Sequence, residues 1–146
     1  MYRRIAVILL PVALVGLVGT TVWGYQENQE KNALLIKAEN QYQRAFHDLN
    51  FHVNKLQDEL GKSLALGSRR QISQCLTNVW RLAYAAQSDL GQLPLSLVPF
   101  DKTEEFLAKI GQFAYQVGLR DLEREPLTDR EWNTLRSLYQ RSNQIQ

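Results

Sequence analysis

The chain has 146 residues, enough for one domain and too few for two of ordinary size. Its 17 Lys+Arg against 15 Asp+Glu give a net charge of +2, and Arg3 and Arg4 supply all of that excess, which leaves residues 26–146 balanced. A neutral body speaks against a nucleic-acid binder, whose affinity rests on a positive phosphate-contacting face. One cysteine excludes an internal disulfide and any multi-cysteine metal site, and only 8 Gly and 4 Pro speak against wholesale disorder.

Residues 5–25 read IAVILLPVALVGLVGTTVWGY, 21 residues without a charge. At about 1.5 Å per residue such a helix spans roughly 31 Å, close to a hydrocarbon core of about 30 Å. Pro11 is tolerated in lipid-embedded helices, and Trp23 and Tyr25 fall where an interfacial aromatic belt would lie. This reading makes Ile5, Leu9, Leu10, Pro11, Leu14, Leu17, Trp23 and Tyr25 anchor residues in the bilayer. Arg3 and Arg4 would hold residues 1–4 in the cytoplasm and send 26–146 outside. A cleaved signal peptide is the competing reading, but its apolar region is normally shorter and ends at a small-x-small site, which is poor here.

Beyond the span the apolar spacing becomes helical. Leu35, Tyr42, Phe46, Leu49, Val53, Leu56 and Leu60 form a heptad seam that Gly67 would end. Three further helix starts carry the capping-box spacing: Ser68 with Gln71, Asp101 with Glu104, and Thr128 with Glu131. A second helix shows Ile72, Leu76, Val79, Ala83, Ala86 and Leu90 before Gly91. A third shows Phe106, Ile110, Phe113 and Val117, with a small-residue stripe of Gly111, Ala114 and Gly118 that invites close approach by a neighbour, and Pro126 as its stop. A fourth shows Trp132, Leu135, Leu138 and Tyr139 and reaches Gln146 without a stop signal, as a chain continuing into a further domain would.

No alternating β-branched run appears after residue 25. The expected fold class is therefore all-α: a single amino-terminal transmembrane helix followed by a long helix and an antiparallel three- to four-helix bundle. The helices are placed near 27–66, 69–90, 102–124 and 129–146. The connection GQLPLSLVPF over 91–100 is unusually apolar for a loop. It either caps the bundle or docks a partner through Leu93, Leu95, Leu97, Val98 and Phe100, with Trp80 and Tyr84 behind them.

Catalytic motifs are sparse. His47 and His52 are five apart, not the four of a helical metal pair, and read as packing and solvent residues. Cys75 has no thiolate-activating neighbour in sequence, and the carboxylates of RDLERE (120–125) read as a solvated face paired with arginines. Arg69 and Arg70 at a helix start could touch an anionic polymer but read more simply as solvated. The chain is expected to be no enzyme and to need no cofactor or metal. A cell-wall hydrolase using a raised-pKa glutamate would require a concave cleft that a thin bundle rarely supplies.

Four blocks carry a family likeness: WGYQENQEKN (23–32), AENQYQRAFHDL (38–49), GQLPLSLVPFDKTEEFL (91–107) and RDLEREPL (120–127), with VWRLAYAAQSDLGQLPL around Trp80 in the same pattern. In order and spacing they resemble the amino-terminal region of the YpeB family, germination proteins of endospore-forming bacteria. The resemblance implies a non-catalytic protein of the inner spore membrane on which the localisation and stability of the cortex-lytic enzyme SleB depend. It also implies carboxy-terminal PepSY-type domains, which these residues do not include. The expected function is thus a membrane-anchored module that helps hold a hydrolase in place. The alternatives are an extracytoplasmic helical sensor or a self-associating scaffold, since heptad seams also pair between chains and make a homo-oligomer.

Overall fold

The computed structural model describes residues 2–94 and 100–144, with side chains from Leu14 onward. These residues form four α-helices and no strand: α1 (Tyr2–Ala65), α2 (Arg69–Leu90), α3 (Asp101–Gly118) and α4 (Asp129–Ser142). The all-helical expectation holds, and α2 has the expected bounds. The chain divides into two compact units, 1–40 and 41–146.

In the first unit the expected transmembrane helix requires correction. Among the described residues no helix is long and apolar enough to cross a membrane. The described side chains of the proposed span are those of residues 14–25, which the polar Gln26 and charged Glu27 follow. Leu14, Leu17, Trp23 and Tyr25 are exposed. The side chains of Arg3, Arg4, Ile5, Leu9, Leu10 and Pro11 lie outside the described residues, and with them the topology drawn from the two arginines. Thr20 and Thr21 donate their hydroxyls back to the carbonyls of Gly16, Leu17 and Val18, which satisfies those groups locally. Lys31 and Glu27 pair at 3.0 Å one turn apart.

The second unit holds one core. Leu49, Val53, Leu56 and Leu60 of α1 are buried with Ile72, Leu76, Val79, Ala83, Ala86 and Leu90 of α2, Phe106, Leu107, Ile110, Ala114 and Val117 of α3, and Leu135 and Leu138 of α4. The heptad seam is therefore real from Leu49 onward, while Leu35, Tyr42 and Phe46 remain exposed. Contact pairs fix the directions. His52 meets Asp89 and Glu59 meets Asn78, so α1 and α2 run antiparallel. Trp80 meets Tyr115, and Gly118 lies against Leu76, so α2 and α3 do too. Gly61 against Tyr139 and Gln57 bonded to Asn143 set α4 antiparallel to α1.

Only one of the three expected capping boxes forms. Thr128 accepts from the Glu131 N–H at 3.3 Å, and the Glu131 carboxylate accepts from the Thr128 N–H at 2.8 Å. Ser68 makes no side-chain cap bond, and α3 starts one residue early, with Phe100 rather than Asp101 at the cap position. The third helix also ends at Gly118, well before Pro126. Ser73 donates its hydroxyl to the Gly118 carbonyl at 2.6 Å, satisfying a carbonyl of the last turn. The following residues turn so that Leu122 is buried, 2% exposed. The amides of Arg124 and Glu125 close this turn on the Asp121 carbonyl.

Glu131 does more than cap. Arg120, after α3, donates two hydrogen bonds to its carboxylate at 3.0 and 2.9 Å. These bonds outweigh the cost of burial and, with the Thr128 amide, hold the Glu131 carboxyl at about 2, below the ordinary 4.5. A depressed carboxyl stabilises the fold fully above about pH 5 and loses that contribution as pH falls through 4.5 toward 2. Glu131→Gln keeps the cap and removes the charge. It is expected to cost about 1–2 kcal/mol at pH 7, a figure reduced for the partial exposure of the pair, and almost nothing near pH 2. Urea unfolding of both proteins from pH 7 to pH 2 checks this; a constant difference across that range would remove the charge from the explanation.

Candidate functional site

The antiparallel α2 and α3 approach closely because their facing residues are small. An added Cβ on Gly111 would sit 3.5 Å from the Ala83 Cβ, and Ala114 is fully buried. The small-residue stripe read from the sequence does pack against a neighbouring helix. Beside this seam lie the larger side chains that the crossing leaves outside. Trp80 is half-buried and stacks at a tilt on Tyr115, ring centroids 5.3 Å apart. Tyr84 is 71% exposed and Tyr115 is 49% exposed. With Gln87, Gln112 and Gly111 they line a shallow groove of about 210 Å³ that contains no charged residue. Rigid aromatic groups with few torsions, presented from packed helices, are the groups that anchor protein interfaces.

The structure separates the sequence-predicted contact residues into three sets. Trp80 and Tyr84 stand together in this groove. Leu93 is buried in the core, and Phe100 is half-buried against it, so these two act as packing residues. Leu95, Leu97 and Val98 lie outside the described residues. Tyr115 belongs with Trp80 and Tyr84 and was missed. Its signal was its place one turn after Gly111, on the edge of the small-residue stripe.

A second constellation lies on the other flank of α2. His52 Nδ1 is 2.6 Å from an Asp89 carboxylate oxygen, and both side chains are largely buried. The carboxylate accepts, so Nδ1 carries the proton. Nothing local in the sequence links residues 37 apart; the one hint was a carboxylate in the last turn of α2, where the helix dipole disfavours negative charge. His47 is exposed and takes no part.

Cys75 is buried beside Glu59. Burial first, and then the neighbouring carboxylate, push its thiol up, which makes thiolate scarce. Burial also disfavours the Glu59 charge, but hydrogen bonds from Lys62 and Asn78 outweigh it and hold that carboxyl below its usual range. In RDLERE, Arg124 pairs with Asp121 at 3.4 Å on the surface as expected, whereas the Arg120 fork onto Glu131 was not legible. Among the described residues no three His, Cys, Asp or Glu side chains converge as metal ligands would.

The family model described as YpeB N-terminal matches residues 30–146. The chain is 49% identical over 139 residues to the sporulation protein YpeB of Bacillus subtilis (strain 168), covering 95% of this chain and 31% of that protein. It is 48% identical over 145 residues to the protein of the same name from Oceanobacillus iheyensis, and 44% identical over 145 residues to that of Halalkalibacterium halodurans. Each of these two alignments covers 99% of this chain and 32% of the relative. The chain thus spans about a third of the length of the curated relatives it matches. No solved structure matches it. With the family region covering most of its residues and its relatives near half identical throughout, the chain belongs to the YpeB family of sporulation proteins and corresponds to their amino-terminal part.

Proposed function

We propose that this chain is a non-catalytic helical module of the spore germination apparatus that supports the localisation and stability of the cortex-lytic enzyme SleB. The observation that carries the reading is the uncharged aromatic groove of Trp80, Tyr84 and Tyr115 on the packed α2–α3 pair. Trp80 and Tyr115 already stack on one another before binding, so little of their side-chain entropy is lost on association. Membership of the YpeB family supports the spore setting. The contact surface moves from the 91–100 connection to the groove, because Leu93 and Phe100 are committed to the core.

The double variant Tyr84→Ser/Tyr115→Ser tests it, since both rings are exposed and their loss leaves the core intact. Binding of purified SleB, measured by calorimetry, is expected to weaken roughly thirtyfold, the size of a lost hot spot. Helicity and the melting temperature should stay at wild-type values. Unchanged affinity in a folded variant would remove the groove as the docking site.

A further inference from the structure

The flank of α2 opposite the aromatic groove carries a pocket of about 440 Å³, lined by Phe51, His52, Lys55 and Glu59 of α1 and Asn78, Arg81, Leu82 and Ala85 of α2. Its carboxylates are already compensated. Glu59 accepts from Lys62 at 2.7 Å and from Asn78 at 3.3 Å, and Asp89, just behind the pocket, is held by His52 at 2.6 Å. Its two permanent cations are not: Lys55 and Arg81 have no carboxylate partner among the described residues, and Lys55 only hovers 5.9 Å from the centre of the Phe51 ring. The site is left with an excess of positive charge beside an apolar wall of Phe51, Leu82 and Ala85.

The imidazole compensates the carboxylate behind the pocket. Asp89 sits in the last turn of α2, where the dipole opposes a carboxylate, and it is only 8% exposed. Such a placement is unfavourable unless a partner offsets it, and His52 is that partner. The bond fixes the ring and leaves Nε2 as an acceptor with no protein partner among the described residues. A guanidinium and an ammonium around one opening match a planar carboxylate, which arginine binds through two parallel hydrogen bonds.

We propose that this pocket binds a carboxylate attached to an apolar residue, its charge between Arg81 and Lys55 and its side chain against Phe51, Leu82 and Ala85. The same chemistry is offered by a free N-acylated amino acid and by the carboxy terminus of a peptide. The proposal is independent of the aromatic groove, which lies across α2 and shares no residue with it.

Titration by NMR, following the His52 ring and the Phe51 and Ala85 amides, tests it with four probes: N-acetyl-L-leucine, a tripeptide ending in leucine, the same tripeptide amidated, and inorganic phosphate. Both carboxylates, or the tripeptide alone, should shift these signals, the latter result assigning the peptide as the source. The amide should not shift them, and phosphate should do so at least tenfold more weakly. Arg81→Gln and Lys55→Gln, both at exposed positions, should each weaken the acid about tenfold or more, the worth of a charge-assisted hydrogen bond, with unchanged melting curves. Equal binding of acid and amide, phosphate binding as strong as the acid, indifference to both substitutions, or no shift at millimolar probe would each overturn the assignment.

Discussion

Replacing Leu76 by alanine is expected to lower the unfolding free energy by about 2–5 kcal/mol, measured as a shift of the urea midpoint at constant slope. Leu76 is fully buried near the start of α2. It packs where α3 presses against α2 at Gly118, so one truncation empties space shared by two helices. Relaxation cannot fill that space readily, because the Ser73 hydroxyl holds the Gly118 carbonyl at 2.6 Å and pins the crossing. A loss below about 1 kcal/mol would mean that the helices slide together to close the gap, contrary to a pinned crossing.

Substitution of Gly118 is the second large effect, and its opposite sits two stripe positions away, at Gly111. A Cβ at Gly118 would lie 3.1 Å from the Leu76 Cβ and 3.1 Å from the Thr77 backbone nitrogen. Backbone cannot step aside as a side-chain tip can, so Gly118→Val is expected to cost about 1–3 kcal/mol by forcing α2 and α3 apart. Conformation is not the reason, since no glycine among the described residues has a positive φ. At Gly111 an added methyl meets only the Ala83 Cβ at an ordinary 3.5 Å. There Gly111→Ala should recover much of the propensity difference between the two residues in a helix interior, about 1 kcal/mol at most. Thermal melts of the two single variants should move in opposite directions. Movement in the same direction would show that the helix spacing differs from that described.

Much of this contrast could be read beforehand, because periodicity reports which face of a helix is buried. Val79, Ala83 and Ala86 were visible as a seam, and Gly111, Ala114 and Gly118 as a stripe built for close approach. Periodicity cannot report where a seam loses its partner: Leu35 and Tyr42 continue the same spacing as Leu49 and Leu56, yet stay exposed. Capping boxes are local patterns of equal appearance, and only the one whose glutamate also serves Arg120 forms. The site was half legible. Trp80 and Tyr84 stood out as large apolar groups near an apolar connection, but the partner ring of Tyr115 and the carboxylate of Asp89 come from residues brought near only by the fold. The apolar run at 5–25 misled in another way: its length suggested a crossing, and the described part of that helix does not meet the requirement.

The enclosed sulfur of Cys75 has a practical corollary. A lone buried thiol beside Glu59 turns alkylation into a reporter of opening, because reagent reaches it faster when the end of α1 lifts away from α2. The labelling rate then counts such excursions molecule by molecule, and any occupant that clamps those two helices together would slow it.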